Sequence, residues 1–135
     1  MSKHIKYKDG YKYVLAEEYT DQIPVYPEIS IYSQFITLTE AGILTIRAGY
    51  AWDGASGPTI DTASSMRGAL IHDALYQLMR EELLQRSWRQ KADEVLRDTC
   101  IADGMFRWRA WVWYKTVRKL AGFAVSTKDK VLVAP

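Results

Sequence analysis

The sequence predicts an α+β fold in a single domain spanning residues 1–135, with an antiparallel sheet of short strands followed by three helices. Residues 1–50 are rich in aromatic and β-branched side chains punctuated by turn dipeptides, the composition of strands. From residue 62 the apolar period changes from two to about 3.6, the signature of helices packed on one face. Five Trp and nine Tyr in 135 residues supply enough apolar bulk for a core without metal or disulfide staples.

Asp9-Gly10 is a strong turn pair, and Tyr11 to Tyr19 ("YKYVLAEEY") reads as the strand that leaves it. In "ISIYSQFITLT", Ile29, Ile31 and Ser33 alternate with Ser30, Tyr32 and Gln34, and then the phase shifts, so a bulge or tight turn is expected between Tyr32 and Phe35. Phe35 to Thr39 and Ile43 to Arg47 form a hairpin about Glu40-Ala41-Gly42. Residues 51–61 make a corner, "AWDGASGPTID", in which Gly54, Gly57 and Pro58 favour a bend over a helix.

In the helical half, residues 62–122, Met66, Leu70, Ala74 and Leu78 share a face widened by Ile71 and Leu75, with Thr62, Ser64 or Ser65 as N-cap. Ser87-Trp88-Arg89-Gln90 matches a capping box for a second helix with Trp88, Ala92, Val95, Leu96 and Thr99 on one face, closed by Gly104. A third helix, Met105 to about Ala121, carries Trp108, Trp111, Val112, Val117 and Leu120 inward and ends at Gly122. Residues 123–135 are read as a tail or, in "KVLVAP", an edge strand.

Net charge is +2 but unevenly spread. Residues 1–84 hold seven Lys/Arg against eleven Asp/Glu, and residues 85–119 nine against four. The lone Cys100 falls in an apolar helical pattern, which reads as a buried small residue and suits a reducing compartment. No apolar run approaches the roughly 20 residues of a membrane span, and the charged, Tyr-rich start does not resemble a signal peptide.

The candidate chemistry gathers where strand gives way to helix. Asp53 and Ser56 sit in the Gly/Pro corner, His72 and Asp73 are adjacent on the first helix, and Asp93 lies on the second. Neighbours on a helix point about 100 degrees apart, so His72 and Asp73 need another element to converge on one ligand. If the first helix ends near Arg80, Asp93 comes level with Ala74 and reaches His72 or Asp73; if it runs to Leu84, Asp93 falls too far along the axis.

One imidazole with several carboxylates fits two chemistries. One is acid/base hydrolysis by Asp53, His72 and Asp93, with Ser56 as a less favoured nucleophile because it lacks the Gly-x-Ser-x-Gly elbow. The other is a divalent ion, Mg or Mn, held by Asp53, His72, Asp73 and Asp93. Zinc is disfavoured, since His4, His72 and Cys100 are too few soft ligands. The competing reading is a buried junction whose polar groups satisfy one another, with Asp53 paired to its own turn or to His72, and Asp93 accepting from a core Tyr or Trp.

The order "DGAS-x-P" (Asp53 to Pro58), "HD-x-LY" (His72 to Tyr76) and "AD" (Ala92-Asp93) resembles a family of small phage and prophage proteins classified as a domain of unknown function, over roughly Gly49 to Gly122. The resemblance implies a phage or prophage origin, hence residence in the host bacterial cytoplasm or in a particle assembled there. It implies no activity.

"MFRWRAWVWYKTVRKLAG" concentrates three Trp among Arg107, Arg109, Lys115, Arg118 and Lys119. Core packing explains most of the aromatics, and the cations then form the wet side. A protein partner or second copy would use Trp113, which projects away from the Trp108/Val112 stripe, together with Arg107, Arg109 and Arg118. Nucleic acid and membrane surfaces are less favoured occupants. The sequence therefore supports a small hydrolase with an Asp/His/Asp cleft or, alternatively, a non-catalytic virion or host-interaction protein.

Overall fold

The structure, a computed structural model, describes residues 7–8, 13–52 and 63–126. Its seven strands are short and all pair antiparallel: β1 (Tyr7–Lys8), β2 (Tyr13–Leu15), β3 (Tyr19–Gln22), β4 (Ile31–Tyr32), β5 (Ile36–Leu38), β6 (Ile43–Ile46) and β7 (Ala51–Trp52). They form one sheet in the order β1-β2-β7 and another in the order β3-β6-β5-β4. Three helices follow, α1 (Ala63–Arg80), α2 (Arg89–Ala102) and α3 (Arg107–Ser126), with a 3-10 turn at Arg86–Trp88 leading into α2. The fold is α+β, as the change of period implies.

The β5/β6 hairpin pairs Leu38 with Leu44 and Ile36 with Ile46, which puts all four side chains on the buried face. Its turn needs Gly42, whose φ is +87° and whose missing Cβ would lie 2.4 Å from the Ile23 carbonyl oxygen. The phase shift after Tyr32 is a tight turn in which the Ser33 N–H donates to the Ile36 carbonyl at 2.8 Å. Asp9-Gly10 and the Asp53 to Asp61 corner lie outside the described residues.

Met66, Leu70, Ile71, Ala74, Leu75 and Leu78 of α1 are buried against Ile36, Leu38, Leu44 and Ile46 of the sheet and Ala92 and Val95 of α2. Closer to α3, the helices meet through small residues. A Cβ on Gly68 would stand 2.8 Å from Cys100 Sγ and 3.2 Å from the Leu96 carbonyl oxygen, so α1 and α2 touch almost backbone to backbone there. Cys100 is fully buried, and burial pushes its thiol pKa up to about 12, which makes it packing material.

Local chemistry differs from the sequence expectation at three places. The capping box does not form: α2 starts from Trp88 with no side-chain cap, because the Ser87 hydroxyl turns to the Gln85 side chain and the Gln90 amide turns to Glu94. Gly122 does not end α3, which continues to Ser126; an interior Gly costs only about 1 kcal/mol. Residues 127–135, including the proposed edge strand, lie outside the described residues.

The third correction concerns which side of α3 faces inward. The buried stripe is Ala110, Trp113 and Val117, clustered with Ala69, Leu96, Cys100 and Met105, whereas Trp108, Trp111 and Val112 are exposed. Trp113 is 3 % exposed and therefore not a partner surface. Both stripes have helical spacing, so periodicity alone cannot choose between them. The small Ala69, Ala110 and Cys100 favour Trp113, because they leave the volume that a buried indole fills. Gly104 closes α2 as expected: at φ +106° it allows Met105 N–H to reach the Cys100 carbonyl and its own N–H the Ile101 carbonyl.

The close approach at Gly68 yields a direct check. Gly68→Ala should lower the thermal midpoint and cost about 1–2 kcal/mol, because the overpacking outweighs the gain in helix propensity. A midpoint equal to or above wild type by calorimetry would show that α1 and α2 have room to separate.

Candidate functional site

Because α1 ends at Arg80, Asp93 comes level with the middle of α1, and Asp93 and His72 meet. His72 Nε2 lies 2.7 Å from Asp93 Oδ1, the Tyr76 hydroxyl donates to the same oxygen at 2.6 Å, and Arg118 Nη1 donates to Oδ2 at 2.8 Å. Arg89 Nη1 stands 3.9 Å from Oδ2, one helical turn before Asp93 on α2. His72 and Tyr76 are one turn apart on α1, with ring centroids 4.3 Å apart, so both present their polar atoms to one point on α2. Arg118 reaches that point from α3.

Asp93 has no exposure to solvent. Burial on its own would raise its pKa, but the hydrogen bonds from His72, Tyr76 and Arg118 hold it below the ordinary carboxylate value. The carboxylate is thus ionised and accepts, which puts a proton on His72 Nε2. Burial, and then the bond to Asp93, pushes the Tyr76 pKa up, so its phenol stays neutral and donates. Nδ1 of His72 makes no hydrogen bond among the described residues, and the side chain keeps 11 % of its surface open.

A second buried charge ties the sheet to the helices. Arg67 of α1 grips Asp103, in the α2–α3 turn, with Nε and Nη2 both 2.9 Å from its oxygens. Its Nη1 donates to Asp21 of β3 at 2.8 Å and to the Tyr19 hydroxyl at 3.1 Å, and Tyr19 in turn donates to Asp21 at 2.7 Å. Sequence reasoning missed this cluster. Its signal was a lone arginine within an otherwise apolar and small stretch, Ser65 to Ile71.

Of the residues picked from sequence, His72 and Asp93 are brought together. Asp73 is half-buried and is not among the hydrogen-bonding or ionic partners of Asp93. Asp53 and Ser56 lie outside the described residues. Arg118, expected on a partner surface, instead spends one guanidinium nitrogen on Asp93. A core tyrosine donating to Asp93 was expected, and it is Tyr76, one turn after His72; Arg89 and Arg118 were missed as members of the site, and Arg118 depends on how α3 docks.

Among the described residues no three His, Cys, Asp or Glu side chains lie together as a metal would require. Asp93 is also poorly suited to a cation, since its oxygens already face a guanidinium and two further donors.

A family model described as Protein of unknown function (DUF1353) matches residues 29–117, about two thirds of the chain. The chain belongs to this family. The DUF1353 region runs from β4 into α3 and includes His72, Tyr76, Arg89 and Asp93, together with Arg67 and Asp103; Tyr19, Asp21 and Arg118 fall outside it. Comparison with curated proteins and with solved structures found no match. No helix among the described residues is long and apolar enough to cross a membrane.

The linkage between Asp93 ionisation and folding has a defined sign. A carboxylate depressed in the folded state contributes stability that is complete above its unfolded pKa of about 3.9 and is lost as pH falls through the lower folded value. Asp93→Asn should cost about 3–5 kcal/mol at neutral pH, because it leaves Arg118 and Arg89 without their counter-charge. It should also flatten the loss of stability below about pH 4. Urea titrations of both proteins from neutral to acid pH test this, and parallel acid limbs would contradict it.

Proposed function

We propose that this DUF1353 protein is a small hydrolase of phage or prophage origin that works by acid/base chemistry, with His72 as the group that moves the proton. The observation that carries the reading is the 2.7 Å contact between His72 Nε2 and a buried, ionised Asp93. It fixes the ring's tautomer and orientation and leaves Nδ1 as the base, as in other His-carboxylate dyads. Asp93 has no solvent exposure, so it is a positioning residue and does not touch substrate. Asp53, as a second acid/base group, and Ser56, as the less favoured nucleophile, would serve the same reaction.

Acid/base chemistry is preferred to assistance by Mg or Mn. An ion would have to draw on Asp53, Asp73 and His72, since Asp93 is already neutralised by Arg118. The resemblance of the Asp-Gly-Ala-Ser, His-Asp and Ala-Asp order to small phage and prophage proteins supports a phage or prophage source, and such a source would put the protein in the host cytoplasm or in a particle assembled there.

A second reading has its own support. Asp93, hydrogen-bonded by donors from both α1 and α3, would serve equally as a structural junction, and the exposed aromatics of α3 would then belong to a virion or host-interaction protein.

His72→Gln separates the two readings. Wild type and variant would be assayed on ester, phosphodiester and amide reporter substrates beside thermal unfolding, with EDTA and with added Mg or Mn. The hydrolase reading predicts turnover in wild type that falls roughly 10²–10⁴-fold in a variant that stays folded. Absence of turnover on every substrate, with a large loss of stability in the variant, would leave the junction reading standing.

A further inference from the structure

α3 and the residue before it expose Phe106, Trp108, Trp111 and Val112, by 72, 69, 43 and 49 %. Trp108, Trp111 and Val112 share one face by their three- and four-residue spacing, and large exposed apolar side chains grouped in this way mark a contact surface. Arg97 of α2 lies 4.4 Å above the Trp111 ring and 4.9 Å from Tyr114, so part of this face is already rigid. Between residues 107 and 119 there is no acidic side chain, while Arg107, Arg109, Lys115 and Lys119 accompany the aromatics. Packing this face on its own image would set like charges against each other, which costs several kcal/mol. A symmetric α3–α3 dimer is therefore disfavoured.

The same molecule offers a complementary surface. A cleft of about 180 Å³ is lined by Pro27, Glu28, Ile29, Leu83, Leu84, Gln85 and Trp88, between the segment joining β3 to β4 and the α1–α2 turn. Ile29 and Leu83 on its wall are 77 and 46 % exposed, and Glu28 is the one charged side chain in its lining. An apolar cavity of about 150 Å³ takes up a benzene-sized ring, so this cleft has room for one aromatic side chain. None of the α3 residues lines it, so a copy does not fill its own cleft.

We propose that the protein self-associates head to tail: the ring of Phe106, just before α3, seats in the Ile29/Leu83/Trp88 cleft of a second copy, with Trp108 packing outside it on the rim and Arg107 facing Glu28. The contact joins two different surfaces, so a pair of copies keeps one free plug and one free cleft, and association continues to a ring or filament. The uneven charge of the chain, acidic before residue 84 and basic after it, acts in the same direction. The proposal holds whether or not His72 is a base.

Sedimentation velocity of the full chain tests it, using a plug variant, Phe106→Ser with Trp108→Ser, and a cleft variant, Ile29→Lys. All three positions are exposed, so both variants should keep the wild-type circular dichroism and thermal midpoint. Wild type should associate more as concentration rises and less as salt rises, and each variant alone should be monomeric. Their equimolar mixture should form a dimer and nothing larger, because only one intact plug meets one intact cleft. A wild type that stays monomeric at high concentration, a variant that still associates, or a mixture that stays monomeric would each overturn the proposal. So would a monomeric wild type whose α3 face binds anionic vesicles.

Discussion

Taking a carboxylate fully out of water costs several kcal/mol, so Asp93 is tolerable only while the protein supplies what water would have given. Its partners come from three helices: His72 and Tyr76 from α1, Arg118 from α3, and Arg89 from its own helix at longer range. Losing any one contact exposes the cost of the rest. The relative placement of α1, α2 and α3 therefore depends on this one side chain, and the orientation of His72 follows from it.

The apolar contacts alone would be less selective. Gly68, Ala69 and Cys100 let α1 and α2 approach closely, and Trp113 fills the space beside them, but α3 carries a second apolar stripe, Trp108, Trp111 and Val112, at the same helical spacing. Choosing Trp113 over Trp108 rotates α3 so that Arg118 meets Asp93. The buried indole N–H of Trp113, without a partner among the described residues, is a cost that the packing and the Arg118 contact offset. Arg67 plays the matching role at the other junction, where one guanidinium joins α1, β3 and the α2–α3 turn. Buried ionic groups are weak sources of net stability, yet removing one partner is strongly destabilising because it leaves the other charge buried and unpaired.

How much of this was legible depended on range. The hairpin, the α1 face, the Gly104 stop and the α+β class follow from local periodicity and turn chemistry, and all are present. The His72/Asp93 pair was legible only under the condition that α1 stop near Arg80, which it does. The inward face of α3 was misread, because two stripes of equal spacing compete and the volume left by small residues on other helices decides between them. Arg118 and the Arg67 cluster were missed for the same reason: their partners lie 25 or more residues away in sequence.

The most direct measurement is a long-range proton–nitrogen NMR spectrum of histidine-labelled protein. If ionised Asp93 holds His72, Nε2 carries a proton that exchanges slowly with solvent, and that protection disappears in Asp93→Asn. An unprotonated Nε2, or an Nε2 proton exchanging as fast as that of a free imidazole, would contradict the role of Asp93 as the group that orients His72.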